Sequence, residues 1–338
     1  MTKPESRHDS QQPANSTPSR KGIGWLIKSC MVLVVIAALA YVANQRYQQN
    51  VAAKINPDQT RSVEIVSTGG DAGNGNSETE ITGPTAAIND EVIAAAKHPL
   101  LPLLDVAQNA YEEISKNVKG YQSTLISQVR VDGQLKEESY IVVKIRHACD
   151  DENGKVPFSV YTRFLKPANT AGQEAIWVSG ENEGKIVAHP AGLFNLIRVK
   201  LDPDGSLAMK GNRYSIRDIG MKNLLKKMLE KGEAGLKNKD CQVQIERNVR
   251  VGETNCTMLE IVYPEATDNI DFHKARIFID DVRGLPIAYE GYLWPEEQGG
   301  EPPLLEKYIY TNIELNPGFT DATFDPDNSE YNYPGGSD

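Results

Sequence analysis

From Tyr121 to Val131 the chain alternates. Tyr121, Ser123, Leu125, Ser127, Val129 and Val131 take one parity, and Gln122, Thr124, Ile126, Gln128 and Arg130 the other. A period of two belongs to a strand, whose successive side chains point to opposite faces. Asp132-Gly133 is a two-residue hairpin signal. Leu135 to His147 then returns, with Tyr140, Val142, Lys144 and Arg146 set against Ile141, Val143, Ile145 and His147. A polar loop, DDENGK, leads to PFSVYTRFL, EAIWVSG, a turn at Asn182-Glu183-Gly184, and KIVAH. Further on come CQVQIERNVRV, CTMLEIVYP, KARIFID and PIAYEGYLW, with Asp281-Val282-Arg283-Gly284 turning between the last two. EKYIYTNIEL closes the series before a polar tail, DPDNSEYNYPGGSD. The pattern predicts about ten strands.

Two stretches carry a helical period instead. Leu103, Val106, Ala107, Ala110, Tyr111, Ile114 and Val118 recur at spacings of three and four. Pro99 and Pro102 place the start near Leu103, and Gly120 reads as the C-terminal stop. A second helix is predicted over residues 216–230, with Ile219, Leu224, Leu225, Met228 and Leu229 on one stripe. The segment before it, LDPDGSLAMKGNRYS, reads as an ordered loop. Consecutive strands with few helices imply an antiparallel sheet, not βαβ units. One face of such a sheet must be covered. The predicted fold is therefore α+β: a curved, mostly antiparallel sheet of about ten strands, an incomplete β-barrel, with two helices packed on its concave side.

Residues 22–43, GIGWLIKSCMVLVVIAALAYVA, are apolar apart from Lys28. At about 1.5 Å per residue the stretch spans about 33 Å, enough for a hydrocarbon core of about 30 Å. Trp25 and Tyr41 sit near its ends, where interfacial aromatics belong. Arg20 and Lys21 make the N-terminal flank the more basic one, so the positive-inside rule puts the N-terminus in the cytoplasm. A cleaved signal peptide is the rival reading, with Ala38-Leu39-Ala40 as the cleavage site. The long polar region before the span and the apolar run beyond that site favour an anchor. The organisation that follows is a disordered cytoplasmic tail over 1–20, a transmembrane helix over 21–44, a flexible linker over 45–89 and an exported domain over 90–338. This places the protein in the inner membrane as a single-pass chain, with its C-terminal domain in the periplasm.

A net charge of −10 argues against nucleic acid, which needs clustered Lys and Arg. The four cysteines are Cys30, Cys149, Cys241 and Cys256. If Cys241 and Cys256 lie on the arms of a hairpin turning at Gly252-Glu253-Thr254, they are roughly 30 Å apart at about 3.3 Å per residue. A disulfide needs Cα atoms about 5.5 Å apart. No CxxC, HExxH, GxSxG or SxxK motif is present, so no metal, cofactor or catalytic residue is assigned. His147 and His189 fall at strand ends and could meet. Asp202-Pro203-Asp204-Gly205 and Asp325-Pro326-Asp327-Asn328 bear carboxylates on loops without completing a calcium motif.

FSVYTRFLKP, AIWVSGENEGKIVAH, LDPDGSLAMKGNR, FHKARIFID, PIAYEGYLWP and FDPDNSEYNYP, in that order, resemble the bacterial family called domain of unknown function 1571. The likeness runs from about His98 to Tyr333. The strand series is also similar to the LolA/LolB-type lipoprotein-carrier fold, an incomplete barrel with helices in its open side and an apolar cavity between. That resemblance implies a lipid, lipoprotein or acyl-chain ligand, the N-terminal helix makes the membrane a partner, and an envelope protein is a further candidate partner. Tyr161, Phe164, Trp177, Tyr292 and Trp294 fall on strands and would suit an acyl chain, although each would equally serve as core. Arg213 would meet a headgroup or phosphate, or hold a carbonyl or carboxylate of its own loop. Three functions compete: a tethered lipid-binding protein, an envelope interaction or sensor module, and a hydrolase using His147, His189, Asp202 and Asp204.

Overall fold

The computed structural model describes residues 42, 45, 46, 49, 53, 55–67, 84–152, 154–192, 197–267 and 270–334. The chain divides into two units, Met1–Tyr47 and Gln48–Asp338. In the first, the described residues Val42, Gln45 and Arg46 are helical and exposed. The tail read at 1–20 lies outside the described residues, as does the membrane segment read at 21–44 apart from Val42. Among the described residues no helix is long and apolar enough to cross a membrane.

In the second unit the elements run β1 (Ile65–Ser67), α1 (Asp90–Ala95), α2 (Leu101–Asn117), β2 (Gly120–Val131), β3 (Gln134–Leu135) and β4 (Ser139–Arg146). Next are β5 (Cys149–Asp151), β6 (Gly154–Val156), β7 (Ser159–Lys166), β8 (Glu174–Val178), β9 (Ile186–His189) and β10 (Val199–Leu201). The remainder is α3 (Met221–Gly235), β11 (Gln242–Val251), β12 (Thr254–Val262), β13 (Lys274–Asp280), β14 (Pro286–Tyr292) and β15 (Leu304–Leu315). Thirteen of the described strands form one sheet, ordered β1-β11-β12-β13-β14-β15-β2-β4-β7-β8-β9-β10, with β3 paired to β2. All its pairings are antiparallel, and its end strands do not pair with each other. The sheet is therefore open, as the alternation predicts. It has thirteen strands where ten are predicted. The extra ones are β1, β10 and the separation of β3 from β4, and the DDENGK loop holds the small β5–β6 hairpin besides.

The turns are where the sequence places them. Asp132 and Gly133 both take positive φ, 53° and 75°, as a type I′ hairpin demands. Val251 faces Thr254 across the two-residue turn at Gly252-Glu253. The hairpin reading therefore holds, and Cys149, Cys241 and Cys256 are all free thiols.

α2 buries the predicted stripe: Leu103, Val106, Ala110 and Ile114. Its end is not at Gly120, which is already the first residue of β2. A Cβ there would lie 2.6 Å from the Ile145 carbonyl oxygen, so glycine is needed for close approach of neighbouring strands and not as a helix stop. The second helix starts five residues later than predicted, because Ile216–Asp218 form a separate turn of 3-10 helix. The sheet fixes this start. The Met221 amide donates to the Tyr121 hydroxyl at 2.9 Å, and Gly220, at φ 122°, brings the chain against that same oxygen.

Tyr121 thus faces the helices. By alternation, the row Gln122–Lys144–Tyr161 faces away from them. That outer face is covered by the C-terminal segment, which is no free polar tail. Phe324, Tyr331 and Tyr333 are buried there against Tyr161, Ile176, Val178 and Val187. Tyr331 stacks on Tyr161 with centroids 4.2 Å apart, and the Tyr333 hydroxyl donates to the Val187 carbonyl. Part of the stretch read as a linker also packs on this unit. β1 pairs with β11, and the Arg247 guanidinium donates to the Thr85 and Ile88 carbonyls.

Candidate functional site

Two rows of side chains cross four neighbouring strands on the helix-facing side. Leu259, Ile277, Tyr289 and Tyr308 lie in register across β12, β13, β14 and β15. One pleat along, Ile261, Ala275, Gly291 and Glu306 form a second row. Gly291 apart, the residues of these rows line the floor of a cavity of about 270 Å³. α2 supplies one wall with Leu103, Val106, Ala107 and Ala110, and α3 supplies the other with Leu224, Leu225 and Met228. The helices meet closely beside it. A Cβ on Gly232, itself a lining residue, would lie 2.6 Å from a Leu104 methyl carbon. The volume is close to the lower end of the ~300–1,000 Å³ usual for small-molecule pockets, and the lining has the usual apolar character with a few polar groups.

Those polar groups gather at one end. Glu306 is 5% exposed. Its carboxylate accepts from Arg213 Nε at 3.0 Å, the Tyr214 hydroxyl at 3.1 Å and the Tyr308 hydroxyl at 3.3 Å. Burial raises the Glu306 pKa, and the attraction of Arg213 with the two tyrosine hydrogen bonds offsets only part of that rise. Tyr289 also titrates well above the ordinary phenol range, first from burial and then from the charge of Glu306. Gly291 leaves room for this corner: a Cβ there would lie 3.1 Å from the Tyr289 hydroxyl and 3.4 Å from Glu306 Cγ. At the rim, Lys231 pairs with Asp271 at 2.9 Å. One turn earlier, Lys227 sits over the Tyr214 ring at 4.7 Å and 3.6 Å from Asp218.

Of the six residues singled out in the sequence, Arg213 lines this cavity, and it holds a carboxylate. Tyr161 lies on the outer face under Tyr331. Phe164 packs against the main core. Trp177 packs edge-on against Phe158 and donates to the Gly184 carbonyl. Tyr292 is in register with Lys274, in the alternate parity to the cavity floor, and its hydroxyl donates to Glu290. Trp294 donates to the Tyr263 carbonyl. The residues that build the polar end, Tyr214, Tyr289, Glu306 and Tyr308, carry no motif. What marks Tyr289, Glu306 and Tyr308 is their parity on paired strands, which becomes visible only once the helix-covered face is known, while Tyr214 comes from the loop before α3.

The other candidates do not assemble. His147 bonds the Val118 carbonyl through Nδ1, while His189 lies 3.5 Å from the Glu174 carboxylate. Their strands, β4 and β9, are three steps apart in the sheet, about 14 Å at the usual strand spacing. Asp202 and Asp325 each cap their own turn, accepting from the amides of Asp204 and Asp327. Asp204 pairs with Arg217, and Asp327 with Arg198. Among the described residues no group of three or more His, Cys, Asp or Glu is placed to hold a metal ion.

Residues 118–333 match the family described as "Protein of unknown function (DUF1571)", which confirms the resemblance seen in the motifs. No curated protein matches the chain. Among solved structures the chain is similar to a DUF1329 family protein from Desulfovibrio piger, with 14% identity, 68% of this chain and 98% of that one covered, and a TM-score of 0.34. It is similar to an outer membrane lipoprotein-sorting protein domain from Vibrio parahaemolyticus, at 10% identity, 66% and 95% coverage and a TM-score of 0.32. A LolA superfamily protein from Nitrosomonas europaea matches at 13% identity, 65% and 97% coverage and a TM-score of 0.26.

Proposed function

This chain belongs to the DUF1571 family, and from that premise and the cavity we propose that it is an extracytoplasmic binding protein holding a lipid or acyl chain between sheet and helices. The observation that carries this reading is the cavity of about 270 Å³, floored by β12–β15 and walled by apolar residues of α2 and α3. A close-packed interior leaves few voids larger than a water molecule. A void of this size with Leu, Ile, Val and Ala on its walls favours a flexible apolar occupant over water, which needs polar partners. The apolar run at 22–43 supports an anchor that keeps this domain at the inner membrane, facing the periplasm.

The test is native mass spectrometry of residues 48–338, exported and purified without detergent, followed by organic extraction. These residues form a compact unit that contains the described core clusters. The expected result is a stoichiometric lipid or acylated molecule. A bare mass, together with no binding of a neutral apolar dye, would overturn the reading.

A further inference from the structure

The polar end of the cavity holds a donor with no protein acceptor. The Tyr289 hydroxyl lines the void and has no hydrogen-bond partner among the described residues, although Tyr214 and Tyr308 beside it both donate to Glu306. Tyr289 is half-buried, so water can reach this hydroxyl, and a ligand that displaces that water must supply an acceptor to match it. Gly291 lets this oxygen lie close over the strand, where a Cβ would stand 3.1 Å from it. We propose that Tyr289 is a specificity-determining donor for the carbonyl oxygen of an acyl ester or amide, whose hydrocarbon chain lies along the Leu259–Ile277 and Ile261–Ala275 rows. The inference rests on the reading that the cavity takes an apolar chain.

The neighbouring charges select the class. Arg213 already spends its guanidinium on Glu306 at 3.0 Å. The Tyr289 hydroxyl and Glu306 both lie close over Gly291, so a ligand group bonded to that hydroxyl sits beside Glu306. A free carboxylate seated there would bring a second negative charge beside Glu306, while the lining lysines Lys227 and Lys231 already pair with Asp218 and Asp271. A neutral carbonyl brings an acceptor and no charge. Tyr289 remains a phenol at neutral pH, because burial and Glu306 both oppose its ionisation, so it stays a donor.

The experiment is displacement of the neutral dye N-phenyl-1-naphthylamine from residues 48–338 at pH 7.5 by methyl laurate, tetradecane and laurate. Methyl laurate is expected to compete at about two- to tenfold lower concentration than tetradecane, the worth of one hydrogen bond. It is also expected to outcompete laurate. Tyr289→Phe should erase the advantage over tetradecane, each competitor being compared within the variant, and a wild-type far-UV circular dichroism spectrum shows that the variant is folded. Gly291→Ala, with the hydroxyl retained but crowded, should reduce the same advantage. An advantage that persists in Tyr289→Phe overturns the inference, as does tighter binding of laurate. Dye and tetradecane binding with no gain for methyl laurate defeats the inference alone. Failure of the dye and all three competitors defeats the apolar-chain reading itself.

Discussion

Glu306 is the residue whose cost to the fold can be read from pH. Its carboxylate is buried, and burial outweighs Arg213 and the two tyrosines, so its folded pKa stands above the unfolded value. Between those two values the folded state binds the proton and the unfolded state has released it. Stability therefore falls as pH rises through that window, and the contribution is fully present only below the unfolded carboxyl pKa, about 4.3. Glu306→Gln removes the titration. Urea unfolding of residues 48–338 from pH 4 to 7 is expected to show the wild type losing ground to the Gln variant as pH rises. A difference that stays flat or grows in favour of the wild type would mean that Arg213 dominates the site and Glu306 is held as a stabilising ion pair.

α2 and α3 are walls of the cavity as well as cover for the sheet, and the wall role can be tested by filling the space between them. Ala107 lines the void from α2. Ala107→Leu adds apolar volume at a helical position where Leu is well tolerated. It is expected to weaken dye binding more than tenfold while unfolding at the same or higher urea concentration, since it fills empty space. A loss of stability near the ~1–3 kcal/mol typical of overpacking would instead mean that the walls are already in contact. The elements themselves were largely legible in the sequence. Both helices carry clean 3.6-residue stripes, and each long strand alternates. β1 and β10 were not legible, because three residues are too few to show a period and their pairing is with distant strands. The covering of the outer face was hidden too: Phe324, Tyr331 and Tyr333 sit among Asp, Asn and Gly and show no apolar run. The cavity stayed hidden for a geometric reason. Alternation puts Tyr289 and Tyr292 in opposite parities of one strand, and only the position of the helices decides which parity faces a ligand.

At the scale of the whole Gln48–Asp338 unit, the sheet joins two stretches that are remote in sequence. β2–β4 and β7–β10 lie on one side of the seam where β15 pairs with β2, and β11–β15 with β1 lie on the other. Tyr308 faces Ser127 and Tyr310 faces Leu125 across this seam, so its contacts span more than half the chain. The cavity crosses the same division: its floor comes from β12–β15, whereas α2 precedes β2. Neither side can bury its helix-facing surface without the other, so the unit is expected to unfold as one. Trp177 in β8 and Trp294 after β14 report the two sides separately. In residues 48–338, Trp294→Phe leaves Trp177 as the sole tryptophan, and Trp177→Phe leaves Trp294. Within each variant, urea transitions followed by tryptophan fluorescence and by far-UV circular dichroism are expected to coincide, the signature of two-state unfolding. Fluorescence that shifts well before the circular dichroism in either variant would show that side opening on its own. A cavity whose floor could open separately from its α2 wall would release its ligand by local unfolding, whereas coincident transitions are what release through the rim, past Lys231 and Asp271, predicts.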